Sequence, residues 1–404
     1  MTPVAPGPAA KGISTPHLLR RLRAGLLVLL ILVAGAAGWI LGLSRDNLAQ
    51  ASVHAAEYVR LTSIGTDVLK ADAAAGQAVL ATSGAAARHE QVGTRLADAS
   101  ASLVAAVAAQ PAHAAELAEV NTALQAHGRS LEAARHQQDA SAAAKVLVAA
   151  GQALDSQLLP TLSSLAEENR RDTDVLLSQQ LGWALPALAW AAVAALLAAS
   201  WTVARRSHRI VNLGLVGAIV AIATVAVLSG SAVSAVTGSA VTARDGDFAR
   251  VRAAVATQKL VAHAHSLDVR RVLAQEREEA AGGSADLLAE ASSTLTAAGA
   301  SELKEKLAAC AQAHADLSAL TTRGDWAAAA SLVTSTAKGS PTATVAAFDA
   351  GVEEVVSTSG AAVADAATGF AGTLLAQAIG AAALALAAAG LAVWGLGQRL
   401  KEYR

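Results

Sequence analysis

Four stretches of the chain, Ala24–Leu43, Gly182–Ala204, Val211–Val236 and Gly372–Gly397, contain no charged residue. At about 1.5 Å per residue, each is long enough as a helix to cross a bilayer core of about 30 Å. Between them the apolar positions return at steps of three and four, the period of a packed helical seam. In the first inter-span segment Leu61, Ile64, Val68, Ala71, Ala75 and Ala78 form one seam, and Thr82-Ser83-Gly84 predicts its end, glycine being tolerant of a left-handed cap. A second seam runs through Val92, Leu96, Ala99, Leu103 and Ala106 and stops before Gln110-Pro111, since proline is tolerated at the first turn of a following helix. The third carries Leu117, Val120, Leu124, His127, Leu131 and Ala134. After a turn around Gln137–Ser141, a fourth runs through Leu147, Leu154, Leu158 and Leu165 into the span at Gly182. Helices one and four are about 40 residues and two and three about 25, or about 60 Å against about 38 Å. Short turns impose up-down-up-down connectivity, so the segment is expected to be an antiparallel four-helix bundle on a two-helix stem. Its distal tip is formed by the turns near Gly84 and Asp139.

The second inter-span segment repeats this plan. Phe248, Val251, Val255, Gln258, Ala262, His265, Val269 and Val272 give a first seam, Gly282-Gly283 predicts its break, and Leu303, Leu307, Cys310, His314 and Leu317 give a third. The turn at Arg135 to Asp139 is answered by Arg323-Gly324-Asp325, 188 residues on, and the last span of each half begins 190 residues apart. A nearly constant offset argues for an internal duplication. The fold class expected is therefore an all-α membrane protein with four transmembrane helices and two tandem antiparallel four-helix-bundle ectodomains.

Charge gives this arrangement its sides. The chain is nearly neutral at −1, yet outside the inter-span segments there are 10 Lys and Arg against one acid, Glu402. Segment 45–181 holds 10 basic and 15 acidic residues, and 237–371 holds 11 and 16. Basic residues concentrate in short cytoplasmic loops. The reading is a multi-pass protein of the cell membrane with both termini cytoplasmic. A disordered tail covers 1–23, spans cover 24–43, 182–204, 211–236 and 372–397, and extracytoplasmic segments cover 44–181 and 237–371. A basic cytoplasmic loop occupies 205–210 and a tail 398–404. The first apolar run exceeds the core of a secretory signal, about 7 to 15 residues, and is read as an uncleaved span.

Composition narrows the function. Aromatics are 3% of the chain, so Ala-rich helices are expected to pack closely around narrow cores. Cys310 is the only cysteine, which excludes an intrachain disulfide and a lipid-anchor cysteine after the first span. No phosphate loop, nucleophile elbow, kinase signature or zinc spacing occurs, so neither an enzyme nor a cofactor or metal protein is expected. His263 and His265 lie about 200° apart on a helix and cannot chelate one ion from one face. His265, His314 and Gln258 fall on seams, where polar residues either set helix register or form an internal polar patch. Spans free of ionisable groups argue against an ion pathway. Trp183, Trp201 and Trp394 near span ends suit the membrane interface, and Pro186 is a candidate kink.

Helical ectodomains continuous with flanking spans are similar to the sensor domains of bacterial chemoreceptors, but the cytoplasmic parts here leave no room for a kinase or a signalling coiled coil. Arg60-Leu61-Thr62-Ser63-Ile64, then Ala71-Asp72-Ala73-Ala74-Ala75 and the break at Gly84, resemble the actinobacterial four-pass sensor with tandem helical ectodomains encoded beside a glutamine-binding lipoprotein and a soluble Ser/Thr kinase. The second repeat has Ala264-His265-Ser266-Leu267-Asp268 in place of the Ala-Asp-Ala element. The resemblance implies a signal relay between an extracytoplasmic solute-binding protein and a cytoplasmic Ser/Thr kinase, with the lipid bilayer as its other partner and no nucleic acid. Gly84, Arg88, Arg135 and Asp139 at the tip are the expected partner-binding residues. Arg205, Arg206, Arg209, Arg399, Lys401 and Arg404 are the expected cytoplasmic output. A direct small-molecule sensor, a structural envelope scaffold and homo-oligomerisation stay open.

Overall fold

The computed structural model describes residues 15–178, 183–207, 212–242, 246–276 and 283–402. All twelve α-helices follow the chain: α1 (Thr15–Leu80), α2 (Ala85–Ala109), α3 (Ala114–Arg135), α4 (Ala140–Ala153), α5 (Leu159–Ser178), α6 (Ala184–Ser207), α7 (Leu213–Thr242), α8 (Phe248–Ala274), α9 (Ser284–Ala297), α10 (Lys304–Arg323), α11 (Trp326–Thr334) and α12 (Pro341–Glu402). No strand occurs among the described residues. The helices gather in two compact units, one of Met1–Leu48, Ser178–Ala240 and Ala367–Arg404, the other of Ala49–Leu177 and Val241–Ala366.

The first unit is built from apolar helix. Leu26, Leu30 and Val33 of α1, Ala192 and Leu196 of α6, Ile222 and Val225 of α7, and Ala388 and Leu396 of α12 share its core. Val28, Ile31, Leu32, Trp39, Trp201, Val220, Ile379 and Trp394 point outward and are exposed, an arrangement that suits a hydrocarbon surrounding. Where α7 begins, Asn212 Oδ1 accepts from Gly214 N–H (3.1 Å) while its amide donates to the Gly395 carbonyl of α12 (3.1 Å). Glycine is required at this crossing, because a Cβ on Gly214 would lie 2.7 Å from the Gly395 nitrogen.

The second unit confirms the seams nearly residue for residue. Leu117, Val120, Leu124, His127, Leu131 and Ala134 are the buried residues of α3, and Val92, Ala99, Leu103 and Ala106 those of α2. Gly84 turns the chain at φ 74°, Gln110 closes α2 by donating to the Ala106 carbonyl, and Asp139 caps α4. Gly324, also at φ 74°, and the Asp325 cap of α11 repeat that device in the second half.

Several expectations change. Helix α1 starts at Thr15, so the unstructured tail does not reach residue 23, and residues 1–14 lie outside the described residues. Arg205 and Arg206 belong to the last turn of α6 rather than to a loop. Pro186 sits in the first turn of α6, where its missing N–H costs no helical bond, so it does not break the helix. Helix α8 ends at Ala274 with Gln275 left-handed at φ 54°, before the Gly282-Gly283 pair, of which Gly282 lies outside the described residues. The fourth helix of the first half is interrupted by a π-turn over Leu154–Leu158, which the heptad-like leucines hide.

The two halves also share more than a linker. Each has a core of its own, around Leu61, Leu103, Leu124 and Leu162 in the first and Leu295, Leu303, Phe348 and Val352 in the second. A third core joins Ala71, Ala75, Leu131 and Leu147 to Val269, Val272, Leu317 and Val333. The halves therefore form one compact helical unit rather than two independent bundles.

Five helices are long and apolar enough to cross a membrane, one more than the sequence pattern predicts. The protein is thus consistent with a multi-pass membrane protein. The fifth candidate is α2, the least apolar of them, whose buried face lies in the helical unit.

Candidate functional site

The tip residues take structural positions. Gly84 forms the left-handed turn. The Arg88 guanidinium donates to the carbonyls of Ser83 (3.1 Å) and of Thr334 at the end of α11 (2.6 Å), tying the two halves together at this end. Asp139 accepts from Ser141 and Ala142 N–H at 3.2 and 3.3 Å, so its carboxylate is spent on the cap. Arg135 is exposed beside Glu132 at 3.6 Å. Of the four, Arg135 alone presents a charge with no structural task.

On the basic side Arg205 lies over the Trp201 ring at 5.9 Å, and Lys401 is exposed on the last turn of α12. Arg209 and Arg404 lie outside the described residues, as do the side chains of Arg206 and Arg399.

The most unusual chemistry is a chain of buried charges where α1 and α8 pack together. Asp72 of α1 is 3% exposed. One of its oxygens accepts from Ser266 of α8 (2.6 Å) and lies 3.5 Å from Arg270 Nε; the other faces His127 Nε2 of α3 at 3.7 Å. Neither that second oxygen, Arg270 Nε nor either His127 ring nitrogen has a hydrogen-bond partner. The far end of Arg270 clasps Asp155 on the π-turn at 2.8 and 3.3 Å, and Asp155 also meets His263 Nε2 at 3.0 Å. Gly151 makes room for this arginine, since a Cβ there would lie 2.7 Å from its Cζ.

Around it lie smaller polar joints. Asp268 accepts from Ser284 (2.6 Å) and Arg271 (3.2 Å) and meets His314 Nδ1 (3.0 Å). The Gln77 amide nitrogen donates to the Val333 carbonyl (3.1 Å) and contacts Thr342 Oγ1 (2.9 Å) and His265 Nε2 (3.0 Å). Lys70 and Gln258 both meet Asp349, at 2.7 and 2.9 Å. The internal polar patch anticipated at Gln258, His265 and His314 is present, and its partners include first-half residues.

Burial sets the protonation of this network. It pushes the Asp72 carboxyl up despite the opposing pull of Arg270 and His127, and pushes His127 and His265 down. Asp155 is desolvated too, but its bonds to His263 and Arg270 prevail and hold it low. Burial raises the Cys310 thiol to about 11, which keeps it unreactive.

Both halves use one design: a carboxylate on the first helix set against an imidazole on the third, Asp72 with His127 and Asp268 with His314. The two histidines are 187 residues apart, matching the duplication offset. No protein-family model, curated protein or solved structure matches the chain. What can be said of its activity comes from this geometry. Lys259, its ammonium at 2.6 Å from Ser163 Oγ and lowered by burial, suggests a nucleophile pair. Ser163 lies mid-helix in α5, where backbone N–H groups are spent on helical bonds and offer no oxyanion site.

Sequence reasoning overlooked Arg270, Asp155 and His127 as one cluster. One signal was available: Asp72 is the sole charge between Lys70 and Arg88. A carboxylate in so apolar a helix requires buried partners.

Proposed function

We propose that the chain is a transmembrane signal relay that couples an extracytoplasmic amino-acid-binding protein to a cytoplasmic Ser/Thr protein kinase, crossing the membrane four times with both termini inside. The observation that carries this is the continuity of two helices. Helix α1 is unbroken over Thr15–Leu80 and α12 over Pro341–Glu402, and each combines an apolar stretch with a stretch packed in the helical unit. A helix without a break passes a small translation or rotation along its length, the simplest mechanical coupling across a bilayer. The enclosed cavity beside His265, Asp268, His314 and Cys310 has a volume of about 10 Å³, room for one water and not for an amino acid. This favours sensing through a bound protein over direct capture of a small ligand in the core. In this reading Arg135 is the charge available to the outer partner, and the cations flanking the apolar helices face the inner one.

The test is chemical crosslinking in native membranes followed by purification and mass spectrometry, on the wild type and on a variant with Arg399, Lys401 and Arg404 replaced by Gln. The wild type is expected to carry a solute-binding protein and a kinase. The variant should keep its orientation and the outer partner while losing the kinase. Recovery of neither partner from the wild type refutes the relay, and an unchanged kinase yield from the variant removes the C-terminal cations from the output surface.

A further inference from the structure

The buried atoms left without partners are grouped at one place and complement one another. Asp72 Oδ1 accepts, Arg270 Nε donates, and His127 can do either, yet the distances of 3.5 and 3.7 Å exceed a charge-assisted hydrogen bond of about 2.8 Å. A movement of about 1 Å of α8 past α1 and α3 would close these gaps and open the clasp on Asp155 by a similar amount. We propose that Arg270 is a two-position latch between the halves, clasping Asp155 on the π-turn in the arrangement seen and pairing with Asp72 and His127 when α8 is displaced. This goes beyond the relay reading, because it concerns the chain by itself.

Each position has something the other lacks, as a bistable element requires. In the position seen, Arg270 makes two short bonds to an Asp155 carboxylate that is 30% exposed and therefore partly hydrated, while four buried polar atoms go unpaired. In the other, the buried atoms are satisfied and Asp155 returns to water and His263. Two features permit the movement. The π-turn carries an extra residue that a helix can accommodate in more than one register, and π-turns are frequent at functional sites. Gly151 leaves the arginine a slot that any side chain would block.

The geometry supplies its own reporter. A Cβ built on Gly76 of α1 lies 3.7 Å from Cβ of Val269 on α8, within the span of a disulfide. In full-length protein in lipid nanodiscs, with Cys310→Ala, Gly76→Cys and Val269→Cys, the rate of disulfide formation reads how much of the protein is in the position seen. Asp72→Asn removes the second position and is expected to raise the rate. Asp155→Asn removes the first and should lower it, with a spread of about fivefold between the two, as a modest population shift gives. Equal rates, or the reverse order, overturn the latch. Should Asp155→Asn fail to fold, the Asp72→Asn arm decides alone: a rate no higher than in the unaltered network rejects the second position. No partner enters the assay, so a failed latch leaves the relay standing and a wrong partner leaves the latch standing.

Discussion

His127 and His265 are buried as neutral imidazoles, and the cost of charging them is borne by the fold. Their folded pKa values lie below the ordinary 6.5, so the unfolded chain binds protons first as pH falls. The stability they permit is complete above 6.5 and is lost on acidification below it. Asp72 acts in the opposite sense: its raised pKa means that the folded state takes up a proton before the unfolded one, offsetting part of that loss as pH approaches its window above 3.8. Asp155, held low, contributes stability that is present above 3.8 and disappears only in stronger acid. Thermal unfolding of the purified protein should therefore shift to lower temperature between about pH 7 and about pH 5. His127→Gln, which cannot titrate, should show a shallower slope over the same range. An identical slope would mean that His127 takes up its proton in the folded protein.

At the scale of elements, the seams that build each half were legible because Leu, Val and Ile recur every three or four positions against polar neighbours. The face of α1 that meets α8 was not, because Ala71, Ala73, Ala74 and Ala75 are all buried and no polar residue marks where one contact ends and the next begins. The π-turn escaped notice for a related reason: Leu147, Leu154, Leu158 and Leu165 keep an ordinary helical rhythm, and only the consecutive burial of Leu158 and Leu159 betrays the extra residue. Two glycines in helices separate packing from propensity. A Cβ on Gly76 would collide with Val269 and lie 2.9 Å from Leu273 Cδ1, whereas Gly93 of α2 has nothing within 4 Å. Gly76→Ala should destabilise the protein by about 1–3 kcal/mol, as overpacking does, and open the α1–α8 joint to limited proteolysis. Gly93→Ala should stabilise it by up to about 1 kcal/mol through helix propensity alone. Matching effects from both, measured by denaturant unfolding in detergent, would show that α1 and α8 are not closely packed at Gly76.

For the whole molecule, the distribution of charge and the fifth apolar helix give opposing topologies that one experiment separates. Helix α2 carries Arg88, Glu90, Arg95 and Asp98 on its exposed or half-buried faces and turns Val92, Ala99, Leu103 and Ala106 inward. Placing two carboxylates and two guanidinium groups against lipid would be costly, so α2 is expected to remain on one side of the membrane with the rest of its unit. Single cysteines at the exposed positions Ser83 and Ala112 bracket α2, and one at exposed Ser293 reports on the second half. In a Cys310→Ala background all three should react with an impermeant maleimide in intact cells. Cysteines at His17 and Ser207 should react only after permeabilisation, since the basic flanks hold those ends inside. If Ser83 and Ala112 label from opposite sides, α2 crosses, the termini fall on opposite faces, and the paired cytoplasmic ends on which the relay depends are lost.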